Sequence, residues 1–180
     1  ETVYTYNETT ALLESVTDPE GRTTNYTYNE KGLLTAASDS EDNTTTYAYD
    51  ALGNITSVTR NGAVLATYEY DELGQLKREN NAETNKTYVY TYDTRGNIMT
   101  VSTYAYTTGT PGSVQSTNYY EYTGDRLTAY NGSSITYDAI GNPTSYYNGS
   151  RYTLNWSNGR ELTSGSKSST SFSYTYGADG

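Results

Sequence analysis

Apolar residues recur along the chain as pairs that flank one polar residue. The pairs are Tyr4/Tyr6, Tyr26/Tyr28, Tyr47/Tyr49, Tyr68/Tyr70, Tyr90/Tyr92, Tyr120/Tyr122, Ile135/Tyr137, Leu154/Trp156 and Tyr174/Tyr176. Their first members follow one another at intervals of 22, 21, 21, 22, 30, 15, 19 and 20 residues. The residue between them is Thr5, Thr27, Ala48, Glu69, Thr91, Glu121, Thr136, Asn155 or Thr175, polar in eight of nine cases. Apolar–polar–apolar at period two marks a strand with one buried face. The pattern therefore predicts strands with Tyr on one face and Thr or Glu on the other. Tyr47, Tyr49, Tyr68, Tyr70, Tyr90 and Tyr92, where the register is most regular, are expected to be the more buried. Thr5, Thr27, Glu69 and Thr91 are expected to be the more exposed.

Each pair runs into a turn signal. Asn7, Asn29, Asp50, Asp71, Asp93 or Asp138 follows the pair, and Gly32, Gly53, Gly74, Gly96 or Gly141 comes three positions later. An apolar residue follows two positions on, at Leu34, Ile55, Leu76 and Ile98. Departures occur at Thr123-Gly124-Asp125, at Ser157-Asn158-Gly159 and in the insertion NETTALL. An Asp side chain accepts from backbone N–H groups at the start of a type I turn, and Gly closes the turn in the left-handed region. Gly53, Gly74, Gly96 and Gly141 are thus expected at positive φ. A second kind of turn is expected between repeats, at DPEGR (18–22), DSEDN (39–43), RNGAV (60–64) and NAETN (81–85), with further Asn-Gly signals at 131–132, 148–149 and 158–159. Each repeat then amounts to one hairpin, and about sixteen strands follow, with helix nearly excluded. Stacking of Tyr on Tyr across neighbouring strands is expected to contribute about 0.2–1 kcal/mol per pair.

Composition sharpens this picture. Hydrophobic residues make up only 33% of the 180, and 23 residues are Tyr against one Phe and one Trp. A thick aliphatic core is not available; a thin layer faced with phenol rings is, since each Tyr buries ~150–250 Å² and keeps a hydroxyl for hydrogen bonding. The absence of Cys and His removes disulfides, thiol nucleophiles, most zinc sites and every His-based general base. A formal net charge of −10 repels phosphate backbones and sulfated polysaccharides, which argues against nucleic acid as a partner. No apolar run approaches the ~18 residues of a membrane span, and no signal peptide is recognisable. The chain reads as an excised fragment of a longer array.

Candidate chemistry is sparse. The 21 Asp and Glu allow glycosidase-like carboxylate pairs, but nothing in the pattern selects two of them. The DSEDN cluster at 39–43 offers several oxygens to Ca²⁺ but lacks the EF-hand spacing and glycine, and a solvated turn is the stronger reading. Trp156 with its Tyr neighbours has the makings of a sugar platform. It also holds the second position of an aromatic pair, where inner-face packing is the stronger reading. Sequons at Asn7, Asn25, Asn43, Asn54, Asn85, Asn131, Asn148 and Asn155 are what chance gives in a chain so rich in Asn, Thr and Ser. No catalytic residue, metal site or cofactor is assigned.

The stretches TYAYDALGNITSVT (46–59), VYTYDTRGNIMTV (89–101) and SVTDPEGRTTNYTYN (15–29) resemble the motif of the YD-repeat, or RHS (rearrangement hot spot), family. ITYDAIGNPTSY (135–146), YTGDRLTAY (122–130) and LNWSNGRELTS (154–164) are similar to its degenerate forms, and TTGTPGSVQSTN (107–118) reads as a loop insertion. The signature residues are Tyr47, Tyr49, Asp50, Gly53, Tyr68, Tyr70, Asp71, Gly74, Tyr90, Tyr92, Asp93, Gly96, Tyr137, Asp138 and Gly141. The resemblance implies an all-β, antiparallel hairpin strip, open, twisted and curved, that spirals into a hollow shell. In bacterial wall-associated and RHS polymorphic toxins, which are secreted or at the cell surface, that shell encloses a C-terminal toxin. It also implies a non-enzymatic, structural role, with a cargo or toxin domain of the same polypeptide as partner. The alternative is an adhesion module that binds wall polysaccharide or another cell. A fragment of such a strip is expected to self-associate through its exposed strand edges.

Overall fold

A computed structural model describes residues 1–177, and every described element is a β-strand. The strands are β1 (Val3–Tyr6), β2 (Leu13–Thr17), β3 (Thr23–Tyr28), β4 (Leu34–Ser38), β5 (Thr44–Tyr49), β6 (Ile55–Arg60), β7 (Ala63–Tyr70), β8 (Leu76–Asn81) and β9 (Lys86–Tyr92). They continue as β10 (Ile98–Ala105), β11 (Ser116–Thr123), β12 (Arg126–Tyr130), β13 (Ser133–Ser134), β14 (Thr136–Tyr137), β15 (Pro143–Tyr147), β16 (Arg151–Ser157), β17 (Glu161–Lys167) and β18 (Thr170–Ser173). Hydrogen-bonded order equals chain order, β1 to β13 in one ladder and β14 to β18 in a second. The chain forms two compact units, Glu1–Tyr90 with Ser102–Ser116, and Thr91–Val101 with the described residues from Thr117 on.

In the first unit the strands alternate in kind. An aromatic-pair strand (β3, β5, β7) is followed by one whose inward positions are aliphatic, apart from Glu79 on β8. Tyr47 faces Val58 and Tyr49 faces Ile55; Tyr26 faces Ala37; Tyr68 faces Glu79 and Tyr70 faces Leu76. The expected Tyr-on-Tyr ladder is therefore corrected here: the next aromatic strand is two strands away, roughly 9.6 Å, too far for direct stacking. In the second unit the aromatic strands do meet aromatic partners, with Tyr120 on Tyr130 at 5.1 Å and Tyr146 stacked on Tyr152 at 4.8 Å between ring centroids.

A bulge recurs at a fixed place. In β5–β6, Ala48 pairs with Ser57 but Tyr49 pairs with Ile55, so Thr56 is an extra residue on β6. The same shift occurs at Thr27/Tyr28, Glu69/Tyr70, Glu121/Tyr122, Thr136/Tyr137 and Asn155/Trp156. Without it, the residue opposite Tyr49 would be Thr56 and Ile55 would face outward; one extra residue returns the apolar side chain to the Tyr face.

The period-two expectation holds in detail. All nine middle residues of the pairs are exposed, whereas both members of the seven internal pairs are half-buried. The terminal pairs depart from it. Tyr4 and Tyr6 are 57% and 56% exposed because β1 pairs only with β2. Tyr174 and Tyr176, 54% and 40% exposed, likewise lie along an edge, with Tyr174 N–H donating to Thr163 O (2.9 Å). Ala66 and Ala129 are the buried hydrophobic residues among those described, so a single layer of rings does the work that a two-layer core does elsewhere.

Candidate functional site: an aromatic latch and a locked loop

The repeat signature is a joint. Its first part is the turn. Asp50 N–H donates to Asn54 O (2.9 Å) and Gly53 N–H to Asp50 O (3.2 Å), with Gly53 at φ 94°. Asp50 Oδ1 accepts from Leu52 N–H and Asn54 N–H at 2.9 Å, and Oδ2 from the Asn54 carboxamide at 2.9 Å. Asp71, Asp93 and Asp138 make the same backbone closure, with Gly74, Gly96 and Gly141 at positive φ. Asp18 and Asp39 do so too, with Gly21 and Asp42 in the left-handed position. DPEGR and DSEDN thus belong to the signature turn and not to a separate inter-repeat class. At RNGAV the expected Asn-Gly turn is found, with Asn61 and Gly62 both at positive φ.

At Asp39, Asp50 and Asp93 the carboxamide of the Asn four residues on is the main cause that lowers the carboxyl below its ordinary pKa of 3.8, followed by that residue's N–H. Arg22 does the same for Asp18. At Asp138 desolvation pushes upward, but N–H donation from Asn142 and Ile140 outweighs it. Depressed native pKa values give stability that is present above the unfolded value and lost as pH falls through the folded ones. We expect the melting temperature to change little from neutral pH to about pH 4 and to fall below it. Asp50→Asn should keep the turn, as Asn29 does by accepting from Lys31 N–H and Leu33 N–H at 3.0 Å, and should soften the acid slope. An unchanged slope in thermal melts across pH would remove the carboxylates from this account.

The second part of the joint is the latch. The bulge interrupts the ladder next to the apolar residue that opens the following strand. The second aromatic of the next pair supplies a donor to that residue's carbonyl. Tyr49 OH donates to Leu34 O (2.6 Å), Tyr70 OH to Ile55 O (2.9 Å), Tyr137 OH to Leu127 O (2.7 Å) and Tyr176 OH to Leu162 O (2.9 Å). Trp156 occupies the same position and uses Nε1 on Pro143 O (2.7 Å). An apolar ring with one polar tip is what a half-buried carbonyl at the margin of a ladder requires; Phe lacks the donor. At these five positions the hairpin is pinned to the one before it. Tyr90 is pinned differently, through its hydroxyl to Glu79 Oε2 (3.2 Å). Tyr47, Tyr68 and Tyr92 are half-buried on the same face.

Adjoining turns also touch. Lys31 Nζ donates to Ala51 O (2.8 Å), Arg95 reaches Asp125 at 3.8 Å, and the Arg126 guanidinium lies 5.2 Å from the Tyr137 ring centre. Among the described residues no group of His, Cys, Asp and Glu is placed to hold a metal, and Asp39 spends its oxygens on Glu41 N–H, Asn43 N–H and the Asn43 carboxamide. No helix there is long and apolar enough to cross a membrane.

One polar cluster has no counterpart in the sequence reading. Arg78 and Asn80 on β8 and Thr87 on β9 point to the outer face, yet Asn80 is 4% and Thr87 0% exposed. The segment between β10 and β11, expected as an insertion over 107–118 but already strand from Ser116, folds back over them. Arg78 donates to Thr107 O (2.7 Å), Gly109 O (2.6 Å) and Asn80 Oδ1 (2.8 Å). The Thr87 hydroxyl lies 3.1 Å from both Asn80 Oδ1 and Thr107 O and accepts from Thr107 N–H (3.0 Å). The signal in the sequence was Arg78 itself, a cation two residues from an Asn on a polar strand face.

The RHS repeat family model matches residues 6–44 and 28–64. No curated relative matches the chain. Solved structures do. A Photorhabdus luminescens Tc holotoxin pore with the mutation TccC3-D651A is 17% identical over 96% of this chain, with a TM-score of 0.65. TcdB2-TccC3-TEV is 17% identical over 93%, with a TM-score of 0.62, and TcdB2-TccC3-Cdc42 is 17% identical over 91%, with a TM-score of 0.58. The chain spans about 10–11% of the length of those structures. At this identity the likeness is one of fold, and the fold is the antiparallel repeat described above. Residues 6–64 thus match the RHS repeat, and the described strands that follow repeat the same turn and bulge geometry.

Proposed function

We propose that this structural repeat segment is wall in a β-shell that encloses a toxin or other cargo carried on the same polypeptide, in a secreted or cell-surface protein, and that it works without catalysis. The observation that carries the reading is the latch. The latch recurs at Tyr49, Tyr70, Tyr137, Trp156 and Tyr176, each time tying a repeat to its predecessor through one hydroxyl or indole N–H, so the sheet extends by addition of like units, the logic of a wall. The signature carboxylates are occupied in holding turns, and those of Asp50, Asp93 and Asp138 are held below the ordinary value, which suits them poorly to act as general acids.

The test is limited proteolysis of the full polypeptide that carries this chain. A segment beyond the repeats should resist protease until the repeats are unfolded, and should be cut at once when produced alone. A polypeptide with no such segment, or one cut equally fast in both settings, overturns the proposal. Pull-down on wall polysaccharide supplies the opposing outcome. Binding abolished by Trp156→Ala would make the chain an adhesion module.

A further inference from the structure

Asn-Gly occurs four times, and the fold treats the four sites differently. Asn61 and Asn131 sit in two-residue turns with both residues at positive φ. Their carboxamides are held at both ends: Asn61 Oδ1 accepts from Thr44 N–H (2.8 Å) and Nδ2 donates to Asn43 Oδ1 (3.0 Å). Asn131 Oδ1 accepts from Tyr119 N–H (2.8 Å) and Nδ2 donates to Asn118 Oδ1 (2.9 Å). Asn158 is held once, by Glu161 Oε2 at 2.8 Å. Asn148, in the three-residue connection from β15 to β16, is exposed. Its backbone N–H donates to Ser150 O (2.9 Å), while its carboxamide has no partner among the described residues. A side chain at the position of Gly149 would meet nothing within 4 Å.

We propose that Asn148 is a site of spontaneous deamidation, and that Asn61 and Asn131 are protected by the fold. The Gly149 backbone nitrogen, giving its proton to solvent base, attacks Asn148 Cγ. The bond from Cγ to the amide nitrogen breaks, ammonia leaves and a succinimide forms. Water then opens the ring at one carbonyl or the other, giving aspartate or isoaspartate. The attack requires the carboxamide to swing onto the following nitrogen. At Asn148 nothing opposes that swing, whereas at Asn61 and Asn131 two hydrogen bonds must first break. Every event adds one negative charge at the β15–β16 connection, and the isoaspartate product lengthens its backbone by one carbon.

The experiment is peptide mapping by mass spectrometry after incubation of the folded protein in mildly alkaline buffer made with heavy-oxygen water. Asn148 should convert about tenfold to a hundredfold faster than Asn61 and Asn131, the factor that two intact hydrogen bonds imply, with one heavy oxygen retained in the new carboxyl. The same incubation in strong denaturant should bring the sites to similar rates. Asn61 or Asn131 converting as fast as Asn148 in the folded protein, or the contrast persisting in denaturant, overturns the proposal.

Discussion

Replacing Arg78 by Met is expected to destabilise the first unit by about 3 kcal/mol, because it leaves several shielded acceptors without their charged donor. The Arg78 side chain is only 12% exposed and also lies 3.5 Å from Glu69. Met retains most of the stem's volume, so the loss reports the guanidinium. Thr107 O, Gly109 O and Asn80 Oδ1 each lose a bond of 2.6–2.8 Å. The segment over Thr87 should then lift, admitting water to a hydroxyl that is 0% exposed. Urea unfolding gives the stability change, and hydrogen exchange at Thr107 N–H, bound to Thr87 Oγ1, gives the local opening. A change below ~0.5 kcal/mol, the range of ordinary surface substitutions, would mean that the segment is held by something other than Arg78.

Removing a latch should be comparably costly. Tyr70→Ala deletes a half-buried ring and is expected to lose about 3 kcal/mol, while Tyr70→Phe removes only the donor to Ile55 O and should lose about 1–2 kcal/mol. Trp156→Phe tests the same term in the second unit, where Nε1 serves Pro143 O. If both Phe variants unfold like the parent, the hydroxyl and indole N–H are incidental to the joint. The latch also predicts alkaline behaviour. Desolvation, with the Asp50 charge behind it, raises the Tyr70 hydroxyl above its ordinary 10.0. Desolvation is likewise the main cause of the upward shifts at Tyr68, Tyr120 and Tyr122. A raised native pKa gives stability that is complete below the unfolded value and lost as pH rises through the folded one. Tyrosinate cannot donate, so the Tyr70 latch should hold past the ordinary tyrosine value of 10.0 and open as pH rises through the raised one. Tyrosinate absorbance followed together with circular dichroism measures ionisation and unfolding in one titration.

The single layer explains why these substitutions weigh so heavily. A two-layer domain spreads its stability over many interlocked side chains; here Ala66 and Ala129 are the buried hydrophobic residues among those described. The polar face adds cross-strand hydroxyl pairs, such as Thr91 with Thr100 (2.6 Å), Thr136 with Thr144 (2.8 Å), Thr153 with Ser166 (2.7 Å) and Thr46 with Thr59. Pairs of this kind contribute only a few tenths of a kcal/mol up to about 1. Aromatic latches therefore add the heavier side-chain ties to the backbone ladder that joins successive hairpins.

The sequence by itself determined whatever is settled within a few residues. Alternation at Tyr47-Ala48-Tyr49 sets which face each side chain takes, because successive Cβ atoms point to opposite sides of a strand. The span from Asp50 to Gly53 sets the turn, because its hydrogen bonds close over four residues and Gly53 is free to take φ 94°. Tertiary structure alone decided which residues meet across the sheet. The aliphatic strand between two aromatic strands puts Val58 opposite Tyr47, where a ring had been expected. The bulge that frees Leu34 O lies fifteen residues before Tyr49, the residue that uses it. Arg78 meets Gly109 across 31 residues, and only that return of the chain turns the exposed polar face of β8 and β9 into the buried site of Asn80 and Thr87. Sterics and turn bonds act locally and leave their mark in the residue pattern. The pairing of carbonyls with distant donors depends on register and loop path, which no short stretch of residues encodes.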